Sequence, residues 1–152
     1  MHAFAQTEPI DSFFVYGTLC RGQCREKCWP FPPIEVTPGW VHGTLFDRAD
    51  YPAMTPGEDR VTGELWRFAR EVMDQVLQVI DEVEGTDQPG CPNLYDRVTC
   101  DVFTIESVAR ENVVEADCLT RAWGYHYSTP PELDGFVRIR PTPLLTVSWP
   151  PK

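Results

Sequence analysis

One stretch of this chain carries a sustained helical repeat, and that restricts what the rest can fold into. In "AREVMDQVLQVIDEVEG", residues 69–85, Val72, Met73, Val76, Leu77, Ile80 and Val83 recur at spacings of three and four. The spacing makes a single apolar stripe, and Gly85 stands where a C-terminal cap belongs. No Ser, Thr, Asp or Asn stands ready to cap the start, so that boundary is less sharply marked. A lone amphipathic helix must bury its stripe against something else, and the flanking sequence offers strands.

"DSFFVYG" reads as a short buried strand stopped by Gly17, and "CRGQCREKCWP" as a short helical or turn-like piece ended by Trp29, Pro30 and the "FPP" that follows. "IEVTPGWVHGTLFDR" predicts a strand with a bend or bulge at Pro38-Gly39. "DYPAMTPGEDR" reads as turn chemistry throughout, after which "VTGELWRF" resumes a strand. Beyond the helix, "LYDRVTCDVFTI" and "VVEADCLTRAWGYHY" predict an antiparallel hairpin whose second strand puts Leu119, Arg121, Trp123, Tyr125 and Tyr127 on one face. From about residue 128 the Pro-rich remainder predicts an irregular tail packed along the domain, with at most one short strand. A chain of 152 residues suits a single domain over 1–152, and strands on both sides of one strong helix make it α+β with a mostly β core.

The charge balance narrows function. Thirteen Lys and Arg against 23 Asp and Glu leave a formal charge of -10, the wrong sign for a partner of nucleic acid or anionic lipid. No signal-like start and no bilayer-length apolar run is present, so the expectation is a cytoplasmic protein without a membrane partner. Six cysteines are too few for a stapled scaffold of this length, which favours reduced thiols. Cys20, Cys24 and Cys28 recur every four residues and would share one face of a helix, an arrangement open to metal or redox chemistry. Structural zinc usually takes four ligands in paired short spacings, and no His accompanies these three, so no metal and no cofactor is expected. His2, His42 and His126 are scattered, and no dinucleotide, phosphate-loop or Gly-x-Ser-x-Gly motif occurs.

Four separated pieces remain: the "VYGTL" turn, "GTLFDRADYPAM", the helix end "IDEVEG" and "LYDR" beyond it. In this order they resemble the gamma-glutamylcyclotransferase-like family over residues 13 to about 127. The resemblance implies a small mixed β-barrel with one main amphipathic helix, and an enzyme acting on a small-molecule γ-glutamyl amine or short γ-glutamyl peptide. In such a reaction the substrate's own α-amino group attacks its γ-carbonyl and releases 5-oxoproline and the free amine. Tyr16, Gly17, Thr18 and Leu19 match the substrate loop, whose backbone N–H groups would hold the glutamyl carboxylate. Glu84 matches the general acid/base, at a helix C-terminus where the dipole disfavours its charge and raises its pKa. Tyr95 matches the Tyr of a Tyr-x-Arg motif and would close the pocket near the glutamyl group. Asp81, one turn before Glu84, would support the site by bonding the loop or the chain after Gly85. Arg97 would pair an acid, Asp81 among the candidates, while Tyr125 and Tyr127 are candidates for the pocket wall.

One position departs from the pattern. Where relatives often carry an Asn three residues after the Gly of "LCRG", this chain has Arg25, which bears on substrate identity more than on catalysis. The amine that leaves and the oligomeric state are not legible. Rival readings are a non-enzymatic small-acid binding module on the same fold, and a thiol- or metal-handling protein built on the three cysteines.

Overall fold

The computed structural model describes residues 9–151. Its strands are β1 (Ser12–Val15), β2 (Glu35–Asp47), β3 (Ala53–Arg67), β4 (Tyr95–Thr104), β5 (Cys118–Tyr127) and two short ones, β6 (Val137–Arg138) and β7 (Thr146–Val147). The helix α1 (Met73–Glu84) follows a 3₁₀ turn at Arg70–Val72 and has no side-chain N-cap. Strands β2, β4, β5, β1 and β3 lie side by side in that order, and β3 pairs back onto β2. The sheet is thus a closed five-stranded barrel, mixed because β1 runs parallel to β5 and antiparallel to β3. The ring closes through a short ladder, Gly39 with Thr104 and Trp40 with Phe103, so β4 and β2 part company beyond it.

Strand β1 shows why its sequence reads as an unbroken apolar run. Successive side chains point to opposite faces. Phe13 belongs to the layer between sheet and helix with Trp66, Phe68, Val76 and Ile80, whereas Phe14 packs with Val41, Met54, Val61 and Val102 from the neighbouring strands. Both faces are core, so every residue of β1 is buried. Val76 and Ile80, four apart on α1, are fully buried and anchor the helix on that layer.

Two sequence expectations are corrected here. The bulge expected at Pro38-Gly39 is absent: Pro38 pairs with Glu64 and Gly39 with Gly63 in continuous register. Strand β4 engages β2 at Gly39 and Trp40, so the missing N–H of Pro38 falls where β2 still has an open side. Gly39 serves the crossing strand instead, since a Cβ there would lie 2.8 Å from Val102 Cγ1 and 3.0 Å from Phe103 O. The register shift comes later, between Gly43 and Thr44, whose partners are Asp59 and Thr55. The second correction concerns "DYPAMTPGEDR", which is strand from Ala53 onward rather than turn throughout. Only residues 56–58, Pro-Gly-Glu, stand outside the pairing as the excess of that bulge.

The remaining tail is more ordered than expected. It contributes both β6, antiparallel to β2, and β7, parallel to β3, and it lodges Phe136 and Val147 in the two core layers.

Candidate active site

A narrow pocket of about 30 Å³ opens where β1 ends. Turn hydrogen bonds from Cys20 N–H to Gly17 O (3.0 Å) and from Arg25 N–H to Thr18 O (2.8 Å) fold the chain after Tyr16 back upon itself. Trp29 Nε1 donates to Leu19 O at 3.0 Å and pins the loop's far side. Gly17 is needed for proximity, because a Cβ would stand 2.5 Å from Pro52 Cγ. Among the described residues the N–H groups of Thr18 and Leu19 make no hydrogen bond, while that of Gly17 faces the Cys20 thiol, and all three residues line the pocket. Such a run of unbonded N–H groups offers partial positive charge to an anion.

Glu84 reaches the same pocket from the last turn of α1. Gly85 ends the helix with φ 68°, and Thr86 N–H then bonds Asp81 O at 2.8 Å, a Schellman-type close. Thr86 Oγ1 donates to Tyr95 O at 2.6 Å, and Leu94 N–H to Gly85 O at 2.9 Å, which ties the helix end to the start of β4. Glu84 keeps partial exposure, and its carboxyl makes no hydrogen bond or ion pair among the described residues. Burial pushes it up to about 7, with Arg25 opposing the shift and Asp81 adding to it. Desolvation is the leading cause.

Asp81 is treated in the opposite way. Its Oδ1 accepts from Tyr125 Oη at 2.6 Å and from Arg97 Nε at 2.9 Å. The carboxylate therefore bonds neither the loop nor the chain after Gly85; only its backbone carbonyl meets Thr86. The tyrosines are hydrogen-bond donors held neutral by burial, with Tyr16, Tyr95 and Tyr125 all pushed well above the ordinary phenol range. Tyr16 Oη donates to Tyr125 O at 2.9 Å, and Tyr95 Oη to Pro52 O at 2.7 Å.

The structure brings together Tyr16, Gly17, Thr18, Leu19, Glu84, Tyr95 and Tyr125 around one pocket, and sets Asp81 and Arg97 directly behind Tyr125. Tyr127 lies outside it, donating to Asp134 Oδ2 at 2.7 Å. Sequence reasoning did not place Arg25, Tyr51 and Pro52 in the site, yet all three line it. Tyr51 and Pro52 were visible as the "YP" of a matched segment, and Arg25 as the departure from it. Cys20, Cys24 and Cys28 do not share a helical face, because only Glu26–Cys28 forms a helical turn. Burial raises the Cys20 thiol, whose Sγ points at Val15 O. Among the described residues no group of three His, Cys, Asp or Glu side chains is placed to hold a metal ion. No helix among them is long and apolar enough to cross a membrane.

The profile of the family described as Gamma-glutamyl cyclotransferase, AIG2-like matches residues 13–142. A solved structure of a mouse AIG2-like protein superposes with a TM-score of 0.59 at 22% identity over 87% of each chain. An uncharacterised protein from Pyrococcus horikoshii gives 0.53 at 19% identity over 85% of each chain. A uropathogenic E. coli-specific protein gives 0.52 at 16% identity, covering 87% of this chain and 89% of its own. At such identities the likeness concerns the fold. A sequence search among curated proteins finds no match.

Proposed function

Since this chain belongs to the gamma-glutamyl cyclotransferase, AIG2-like family, we propose that it cyclises a γ-glutamyl amine or short γ-glutamyl peptide to 5-oxoproline and the free amine, with Glu84 as general acid/base. The observation that carries the reading is the pairing of an unbonded, burial-shifted carboxyl with a loop of unbonded N–H groups in one pocket.

The roles follow from the chemistry. The N–H groups of Gly17, Thr18 and Leu19 receive the glutamyl α-carboxylate. An α-ammonium cannot attack a carbonyl, so Glu84 removes its proton. The freed nitrogen bonds to the γ-carbon, closing a five-membered ring, while the bond from that carbon to the departing nitrogen breaks. Glu84 returns the first proton to that nitrogen, then takes the second proton that the ring nitrogen gives up and passes it on, so the amine leaves as its ammonium and atoms balance without water or a second reactant. No nucleophilic side chain is required, because the substrate supplies its own and ring closure makes the step unimolecular. Tyr95 and Tyr125 keep the walls neutral and fixed, and the Arg97–Asp81 pair braces Tyr125 from behind.

A base near 7 suits this task, since it is ionised at working pH and still returns a proton readily. The test is 5-oxoproline release from a panel of γ-glutamyl dipeptides and amines by the native protein and by Glu84→Gln. Native release is expected to rise with pH through about 7, and the variant to lose at least about 100-fold with its circular dichroism unchanged. A variant retaining native rates would remove Glu84 from the chemistry.

A further inference from the structure

Two charged side chains line the pocket, Glu84 and Arg25, and they are not paired with each other. The nearby cations are otherwise engaged: Arg97 bonds Asp81, and Arg48 bonds Asp50. Arg25 forms no ion pair and no side-chain hydrogen bond among the described residues; its guanidinium stands 5.9 Å from the centre of the Tyr51 ring. The surroundings differ with depth. Tyr16, Gly17, Pro52, Tyr95 and Tyr125 are buried, whereas Thr18 and Glu84 keep partial exposure, as do Arg25 and Tyr51, which stand together at the rim.

A γ-glutamyl compound whose α-carboxylate meets the loop and whose α-nitrogen meets Glu84 has its amine portion directed outward, past that rim. We propose that Arg25, backed by Tyr51, forms a carboxylate subsite for the leaving amine, so that the preferred substrates carry a free carboxylate there, as γ-glutamyl amino acids do. The inference rests on the cyclotransferase reading and selects within it. A guanidinium offers a carboxylate two parallel donors, and it repels a polyamine or any other cationic leaving group. Because Arg25 is held in place by its backbone bond to Thr18 O, its side chain can be changed without releasing the turn.

The experiment compares γ-glutamylglycine with γ-glutamylglycinamide, which differ at the distal carboxylate, using native protein, Arg25→Gln and Arg25→Lys. Assays at about pH 8.5 keep Glu84 ionised in all three, even though removing Arg25 lifts its pKa. Native protein is expected to favour the free acid by about tenfold or more in kcat/KM, Arg25→Gln to bring the two substrates within about twofold, and Arg25→Lys to keep part of the preference. Equal slowing of both substrates in Arg25→Gln would move Arg25 to the glutamyl half and overturn the inference. A preference that survives in the variant would overturn it as well. If the native protein turns over neither compound nor any member of the wider panel, the cyclotransferase reading fails. Calorimetric binding of the same pair then still decides the subsite: tighter binding of the acid, erased by Arg25→Gln, supports it, and equal binding refutes it.

Discussion

Strand β4 joins two ends of the barrel that treat polar groups in opposite ways. At its C-terminal end, fully buried Trp40 donates Nε1 to Ser107 Oγ at 2.9 Å, and Ser107 Oγ donates to Thr104 O at 2.7 Å. Arg60 lies over the Trp40 ring and donates to Val108 O at 2.9 Å, closing that end of the barrel. At its N-terminal end, a carboxyl and the N–H groups of Thr18 and Leu19 are left without protein partners beside Tyr95. Polar groups without partners are costly when desolvated, so the first end is arranged for stability and the second keeps groups available to a ligand.

The sharpest break of that contrast is Glu84→Gln, which should abolish turnover and yet stabilise the fold at alkaline pH. Between the ordinary carboxyl range and about 7 the folded protein binds a proton that the unfolded chain does not, so native stability falls as pH rises through that window. Above it the variant is free of a buried charge, and thermal melts at pH 8 should show it ahead by about 1–3 kcal/mol, the advantage fading toward pH 5. A lower melting temperature at pH 8 would mean that Glu84 has a stabilising partner.

Gly17→Ala comes next. Its new methyl drives Pro52 away from the loop and should cost about 1–3 kcal/mol, with a loss of 5-oxoproline release beyond what the folded fraction explains. Ser107→Ala tests the other end. It strands the Trp40 indole N–H and should cost about 1–3 kcal/mol in denaturant titrations while the rate per folded molecule stays native. Altered kinetics in that variant would show that the two ends are coupled. The smallest effect belongs to Asp81→Asn. Removing its charge lifts one of the influences raising the Glu84 pKa, so the acid limb of the rate profile should move to lower pH by a fraction of a unit. Movement to higher pH would reverse the electrostatics described for the pair.

The helix and the β4–β5 hairpin were legible because their patterns are set by long runs with one buried face, such as Val76 and Ile80 on α1. Strand β3 was not, because Pro56 and Gly57 carry local turn chemistry that the bulge uses and long-range pairing overrides. The same holds for Pro38-Gly39, where the reason for glycine is the approach of β4, invisible to a local reading. In the site, ordered motifs indicated the loop, Glu84 and Tyr95. The Asp81–Tyr125 bond depends on a separation of 44 residues, and Arg25 enters through a turn that folds back on Thr18. Neither arrangement has a sequence period to announce it.

The link from Tyr16 Oη to Tyr125 O, and from Tyr125 Oη to Asp81, joins the loop, β5 and α1 in series. Both phenol donors are committed before any ligand arrives, so the inner half of the pocket loses its conformational freedom when the chain folds. A ligand entering it surrenders mainly its own motional freedom, which is preorganisation in the thermodynamic sense. Arg25 has no comparable brace on its side chain. On the proposed reading, the variable half of the ligand would meet one long side chain, whose immobilisation costs about 0.5–1.5 kcal/mol, while the inner half stays fixed.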